Sequence, residues 1–239
     1  MKFNTGIMFM GMLLCLARPA AAGGRPAEYV ILLHGLARTE RSMKALEKRL
    51  VAEGYGVVNV GYPSRSAAIQ NLAGLVIPDA VAACVADGAE AVHFVTHSMG
   101  GILARYYLAR HHLPQLGRVV MLAPPNAGSR VVDKLRGNFI FKWLNGPAGQ
   151  QLGTGPDSLP KSMGPVNYEV GVIAGDRSVN FLLSRLIAGP DDGKVAVAAT
   201  RVEGMADHIV IHATHPFIMR HRQVMDQVVM FLKNGRFAR

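Results

Sequence analysis

Apolar residues gather along this chain in short unbroken runs, separated by segments in which they recur every three or four positions. "EYVILLHG" (28–35), "YGVVNVGYP" (55–63), "AVHFVTHS" (91–98), "RVVMLAPP" (118–125), "YEVGVIAG" (168–175) and "DHIVIHAT" (207–214) are of the first kind. Apolar runs of that length predict strands buried on both faces. "TERSMKALEKRLVAEG" (39–54) has helical spacing at Met43, Leu46 and Leu50, with Thr39 as N-cap and Gly54 as stop. "AAIQNLAGLVIPDAVAACVADG" (67–88) reads as helix that Pro78 is expected to kink or divide. "MGGILARYYLARHH" (99–112) is a further helix. "PFIMRHRQVMDQVVMFLKNG" (216–235) closes the chain as helix, with Phe217, Val224, Val228 and Phe231 on one face.

Strands alternating with helices imply parallel pairing, because a parallel neighbour needs a crossover that usually carries a helix. The chain of 239 residues is long enough for one such domain. With 50% hydrophobic and 18% charged residues, disorder is not expected. The expected fold is a single doubly wound α/β domain with a mostly parallel sheet. In such sheets chemistry gathers beyond the carboxyl ends of the strands.

The first residues read as an address. Lys2 supplies a positive start, "GIMFMGMLLCLA" from Gly6 an apolar stretch, and Ala20-Ala21-Ala22 a cleavage site. The apolar stretch is too short for a membrane span, and no second one of sufficient length is expected. Residues 1–22 are thus expected to be a signal peptide and 23–239 the mature domain, exported to the periplasm or the medium. The chain carries a net charge of +10, two of it from Lys2 and Arg18. Its cations are scattered, without a dense block or interleaved aromatics, which argues against nucleic acid and leaves peripheral contact with an anionic membrane surface. Loss of the leader removes Cys15 and leaves Cys84 alone, so no internal disulfide is expected.

The chemistry centres on "VTHSMGG" (95–101). A serine between a strand and a helix, followed by glycines, is pushed clear of the sheet at a sharp turn, over a helix N-terminus. Thr96 stands where the pattern G-x-S-x-G has its first glycine, so a slightly more open turn is expected. Ser98 would be the nucleophile. Its hydroxyl needs a base, and the base needs an orienting acid. Of the later histidines, His208 and His212 share one face of the last strand and are read as structural, and His221 lies inside the expected final helix. His215 follows the strand's carboxyl end, before Pro216, and is favoured as the base. Between them, Asp192 in "GPDDGKV" is favoured as the acid, with Asp176 and Asp191 as rivals. The turn at His34-Gly35 exposes the backbone N–H of Leu36, which would stabilise an oxyanion together with the N–H of Met99. His97 is read as packing behind the turn.

"VILLHGLART", "VTHSMGGILARYYL", "APPNAGS", "DDGKV" and "HATHPFIM" together resemble the α/β-hydrolase superfamily, in particular small bacterial esterase/lipase-like members, over roughly residues 28 to 235. The resemblance implies a serine hydrolase of carboxylic esters, working through a covalent acyl-enzyme without metal or organic cofactor. It carries Ser98, Asp192 and His215 over as the triad, and Leu36 and Met99 as oxyanion donors. Substrates would be small-molecule or lipid esters; amides and acyl transfer use the same groups. The Gly- and Pro-rich segment 126–167 interrupts the alternation and is read as a cap or pocket wall. In it Phe139, Ile140, Phe141, Trp143 and Leu144 would meet an acyl chain.

Overall fold

A computed structural model describes residues 25–156 and 158–239; the expected leader, 1–22, lies outside the described residues. Six strands form one all-parallel sheet: β1 (Glu28–Leu33), β2 (Gly56–Val60), β3 (Ala91–His97), β4 (Leu116–Leu122), β5 (Val170–Gly175) and β6 (Asp207–Ile211). Between and after them come α1 (Lys44–Ala52), α2 (Ile69–Ala86), α3 (Met99–Leu108), α4 (Arg130–Leu135), α5 (Phe139–Gln150), α6 (Leu159–Ser162), α7 (Phe181–Ser184) and α8 (Arg222–Asn234). The architecture is the doubly wound α/β domain expected from the pattern of apolar runs.

Alternate strand residues feed two cores. Ile31, Leu33, Phe94, Val119, Met121 and Val172 pack with α2 and α3. Val30, Leu32, Val95, Val120, Leu122 and Ile173 pack with α1 and α8. Burial on both faces is why these strands read as continuous apolar runs.

The strand order is β2-β1-β3-β4-β5-β6. The chain leaves β1 for one edge, comes back to lay β3 on the other side of β1, and then steps outward. The winding therefore reverses between β1 and β3. The loops leaving these two strands diverge to opposite faces, and a crevice opens above their carboxyl ends.

Four local expectations are corrected. Pro78 sits inside α2 without dividing it; Leu72, Ala73, Ile77 and Ala80, buried on either side, hold the two halves on one core. α2 is also long and apolar enough, by length and composition, to cross a bilayer, although no such run was expected; here it packs on α3 and the sheet. Thr39 makes no side-chain capping bond. The last helix starts at Arg222, not Pro216. A 3-10 turn, Ile218–Arg220, precedes it, and His221 is extended at φ −72°, ψ 125°. His221 is thus the N-cap residue, outside the helix, and Phe217 is exposed while Val224, Val228 and Phe231 are buried. Gly235 stops α8 with φ 70°, the left-handed conformation that glycine adopts without penalty.

The segment 126–167 contains α4, α5 and α6. Arg105, buried in α3, holds its two ends: the guanidinium donates to Asn126 O and Oδ1 at 3.1 and 3.0 Å and to Gly164 O at 2.8 Å.

Candidate active site

Ser98 is the single residue between β3 and α3. Its φ of 53° and ψ of −122° are unfavourable for a residue with a Cβ, at about 1–3 kcal/mol. Two hydrogen bonds hold it there: Ser98 N–H donates to Leu122 O at 2.8 Å, and Gly101 N–H donates to Ser98 O at 2.9 Å. The side chain makes no capping bond to α3, so it is left free for another partner. A Cβ on Gly100 would run into the carbonyl oxygens of Leu33 and His34, which is why the helix can start this close to β1. A Cβ on Gly101 would lie 3.2 Å from Thr96 Oγ1. Thr96 thus occupies room that Gly101 leaves open.

The partner is His215. Its Nε2 lies 3.0 Å from Ser98 Oγ, and its Nδ1 lies 2.7 Å from Asp192 Oδ2. A carboxylate only accepts, so Nδ1 carries the proton and Nε2 is left to accept from the hydroxyl. An imidazole held in this tautomer can take the Ser98 proton and return it to a leaving group. All three side chains are buried, Asp192 completely.

Asp192 is fixed from both ends. Its Oδ1 accepts from Lys194 N–H at 3.0 Å and Val195 N–H at 2.8 Å, and its carbonyl accepts from His215 N–H at 3.0 Å. A Cβ on Gly175 would sit 3.0 Å from Asp192 Cβ, so glycine at the end of β5 makes room for the loop. The two rivals face elsewhere. Asp191 Oδ1 accepts from Ser184 Oγ and Gly193 N–H. Asp176 Oδ1 pairs with exposed His212 at 2.9 Å.

The two expected oxyanion donors are the N–H of Leu36, after the Gly35 turn, and the N–H of Met99, the residue that follows Ser98. Among the described residues neither donates to a protein acceptor; Met99 opens α3, where the first N–H groups have no partner within the helix. Gly35 brings the first of them close, because a Cβ there would press on His97 Nδ1 at 2.8 Å and on Ser98 Cβ at 3.2 Å. His34 ties this turn down. Its Nδ1–H donates to Gly35 O at 2.9 Å, its Nε2 accepts from Tyr62 N–H at 3.4 Å, and its ring stacks on Tyr62. Burial lowers the pKa of His34, which keeps this neutral pattern.

His97 supports His215 from behind. Its Nε2–H donates to the His215 carbonyl at 3.0 Å. Burial, and then the neighbouring His215, hold its pKa well below that of a free imidazole. It stays neutral and cannot compete for the proton.

Two cavities meet at Ser98. One, of about 220 Å³, is lined by Arg38, Asn180, Lys194, His215 and Pro216. The other is a narrow slot of about 20 Å³ between Val131, Val132, Phe141, Leu152 and Val195. Of the five residues expected to meet an acyl chain, Phe141 alone lines the slot. Phe139, Ile140, Trp143 and Leu144 face outward, with Phe139 77% and Trp143 76% exposed, because α5 turns only one edge inward. The sequence pattern pointed to neither Lys194 nor Arg38. Lys194 follows the acid so closely that "DDGKV" itself was the available signal.

A family model described as "Alpha/beta hydrolase family" matches residues 30–228. The chain belongs to the alpha/beta hydrolase family. A search of curated protein sequences returns no match. Among solved structures, this α/β hydrolase is similar to the mature form of Bacillus licheniformis lipase BlEst2, with a TM-score of 0.73 at 18% identity, covering 89% of this chain and 95% of that one. It is also similar to phospholipase PlaB from Legionella pneumophila, with a TM-score of 0.67 at 17% identity, covering 87% of this chain and 60% of that one. Aspergillus fumigatus lipase B gives a TM-score of 0.65 at 13% identity, covering 90% of this chain and 55% of that one. The chain thus spans somewhat over half the length of the last two. At these identities the likeness is one of fold.

Proposed function

We propose that this α/β hydrolase is an exported serine hydrolase that cleaves carboxylic esters through a covalent acyl-enzyme. The observation that carries the reading is the hydrogen-bonded chain from Ser98 Oγ through His215 to Asp192, at 3.0 and 2.7 Å, placed where an apolar slot and an open cleft meet. Ser98 Oγ attacks the ester carbonyl carbon and its proton passes to His215 Nε2. The carbonyl oxygen gains the negative charge and is met by the N–H groups of Leu36 and Met99. The carbon–oxygen bond to the alcohol then breaks, and the alcohol oxygen leaves with the proton from His215. Water repeats the sequence on the acyl-serine, releasing the acid and restoring Ser98. Asp192 keeps the imidazole in its tautomer and stabilises the imidazolium.

The substrates are small-molecule or lipid esters whose acyl part enters the slot. The exposed apolar residues of α5 and α7, together with the positive charge, support peripheral contact with an anionic lipid surface. The mature chain begins near Gly23, outside the cytoplasm. N-terminal sequencing of protein from the envelope or medium tests export; an intact Met1 on cytoplasmic protein contradicts it. A fluorophosphonate probe tests the mechanism. Labelling of Ser98 in the native chain, lost in Ser98→Ala, is the expected outcome, together with turnover of a butyryl ester ahead of the matched amide. A Ser98→Ala variant that still labels would sink the assignment.

A further inference from the structure

Two cations sit beside Ser98 without an acid of their own. Among the described residues neither Arg38 nor Lys194 has a carboxylate oxygen within salt-bridge distance. Both line the cavity that His215 also lines. The carboxylate acting on Lys194 is Asp192, and its two oxygens are already taken by His215, Lys194 N–H and Val195 N–H. Lys194 is half-buried, and burial followed by repulsion from Arg38 lowers its pKa. Holding two unpaired cations together costs free energy unless an anion joins them.

Both are positioned by their backbones. Lys194 N–H is fixed on Asp192, and Lys194 O accepts from Ser129 Oγ at 2.8 Å. Arg38 follows the turn that carries Leu36, and its guanidinium reaches the Pro216 carbonyl at 3.5 Å. Each cation therefore rides on a loop that also carries a reacting group.

The cavity tells which end of the ester they meet. The group that returns a proton to the leaving oxygen must lie next to that oxygen. His215 and Arg38 line the cleft and do not line the apolar slot, while Lys194 stands at the border and lines both. The alcohol portion thus lies in the cleft and the acyl chain in the slot. We propose that the cleft selects esters whose alcohol portion carries an anionic group, phosphate or carboxylate, received by Arg38 and Lys194. This rests on the ester-hydrolase reading and adds a substrate class to it. The same charge left on the departing alcohol makes the anion a handle for specificity, since it binds at a distance from the bond that breaks.

Three esters of one acyl chain test it: 1-octanoylglycerol, the 3-octanoyl ester of glyceric acid, and 1-octanoylglycerol 3-phosphate. In the native chain both anionic esters should exceed the neutral one in kcat/KM by about 10-fold or more, the size of a hydrogen bond to a charged group. Which anionic ester leads separates phosphate from carboxylate. The ratio should fall towards one in Lys194→Met and in Arg38→Gln, and Lys194→Arg should keep most of it. Because the ratio is taken within each variant, a general loss of activity cancels. Added NaCl should raise KM for the anionic esters only. Equal treatment of the three esters by the native chain, or a ratio unchanged in both variants, overturns the inference and leaves ester hydrolysis standing. No turnover of any of the three also overturns it, and takes the hydrolase reading with it when Ser98 fails to react with fluorophosphonate.

Discussion

The two cavities that meet at Ser98 share Leu36 and Lys194 but differ in size and in polar lining, since the cleft adds Arg38, Asn180 and His215. The slot is walled by Val131, Val132, Phe141 and Leu152, from the excursion after β4, and by Lys194 and Val195 from the loop between β5 and β6. The cleft is walled by the turn after β1, the loop between β5 and β6, and His215-Pro216. At about 20 Å³ the slot has room for little more than one water, which needs roughly 10–15 Å³. The cleft, at about 220 Å³, is open as it stands. On the proposed ester reading, an acyl chain longer than a few carbons must therefore push α4 and α5 apart, whereas an alcohol portion meets a preformed site. The strand ends and the loops after them carry Ser98, Asp192 and His215, and the loop excursions around them line the cavities, with Lys194 common to both. On that reading, changes in these loops away from Lys194 alter specificity without disturbing the chemistry.

Removing the point where the cavities join should have the largest effect. Ser98→Ala should cut kcat by about 10⁶-fold, on the scale of lost triad members, while the thermal unfolding midpoint stays about the same, since alanine keeps the Cβ that strains the turn. A variant with residual turnover of a few per cent would mean that another group attacks. Next comes the orienting acid. Asp192→Asn should lower kcat by about 10⁴-fold, the cost of a wrongly held imidazole. Asp176→Asn and Asp191→Asn should stay within a few-fold, since one faces His212 and the other Ser184. Steady-state rates for the three variants on one ester decide it.

The six strands and the position of Ser98 were legible because burial on both faces and a strand-to-helix turn leave strong local marks. Asp192 was favoured over its neighbours because it precedes the Gly193 turn in the order Ser, acid, His, and through the α/β-hydrolase resemblance. Its separation from Asp191 depends on which carboxylate the 191–195 turn aims inward, and spacing does not encode that. The start of α8 was misplaced because Phe217 fits a helical stripe with Val224, Val228 and Phe231. The chain instead spends residues 216–221 carrying His215 back over the sheet. Arg38 and Lys194 were passed over because a lone cation in a loop looks solvated until the fold sets two of them beside one cavity. The outward face of α5 was misjudged for a related reason: an apolar cluster shows that a surface is needed, and not which way it points.

The slot offers a third way to sharpen the contrast. Phe141→Ala opens its mouth without touching the cleft. We expect kcat/KM for octanoyl esters to rise about 3- to 10-fold relative to acetyl esters of the same alcohol, since a methylene in an apolar pocket is worth about 1–3 kcal/mol when it fits. Preference among alcohols should not move. A panel of acyl lengths crossed with two alcohols checks both statements at once. A change in alcohol preference of equal size would show that the two cavities are not independent.

The smallest effect concerns a support that both cavities share. The turn Val197–Thr200 follows directly on Lys194 and Val195, and it is held from β6. Thr200 Oγ1 donates to Val197 O at 2.7 Å and accepts from His208 Nε2–H at 2.9 Å, while Asn126 Nδ2 donates to Thr200 O at 2.7 Å. Burial, and then the nearby Arg201 cation, lower the His208 pKa to about 4 from an ordinary 6.5. In the folded chain His208 therefore stays neutral where the unfolded chain takes up a proton. Its contribution to stability is complete above about pH 6.5, is lost progressively as the pH falls, and is fully gone below about 4. His208→Gln removes the titration and keeps a donor for Thr200. Its unfolding midpoint should lie slightly below that of the native chain at pH 7.5 and above it by pH 4, since only the native chain loses stability as the pH falls through that window. His34, His93 and His97 also have lowered pKa values, but they are common to both chains and cancel in the difference. Parallel midpoint curves across that window would mean that His208 titrates alike in the folded and unfolded chain.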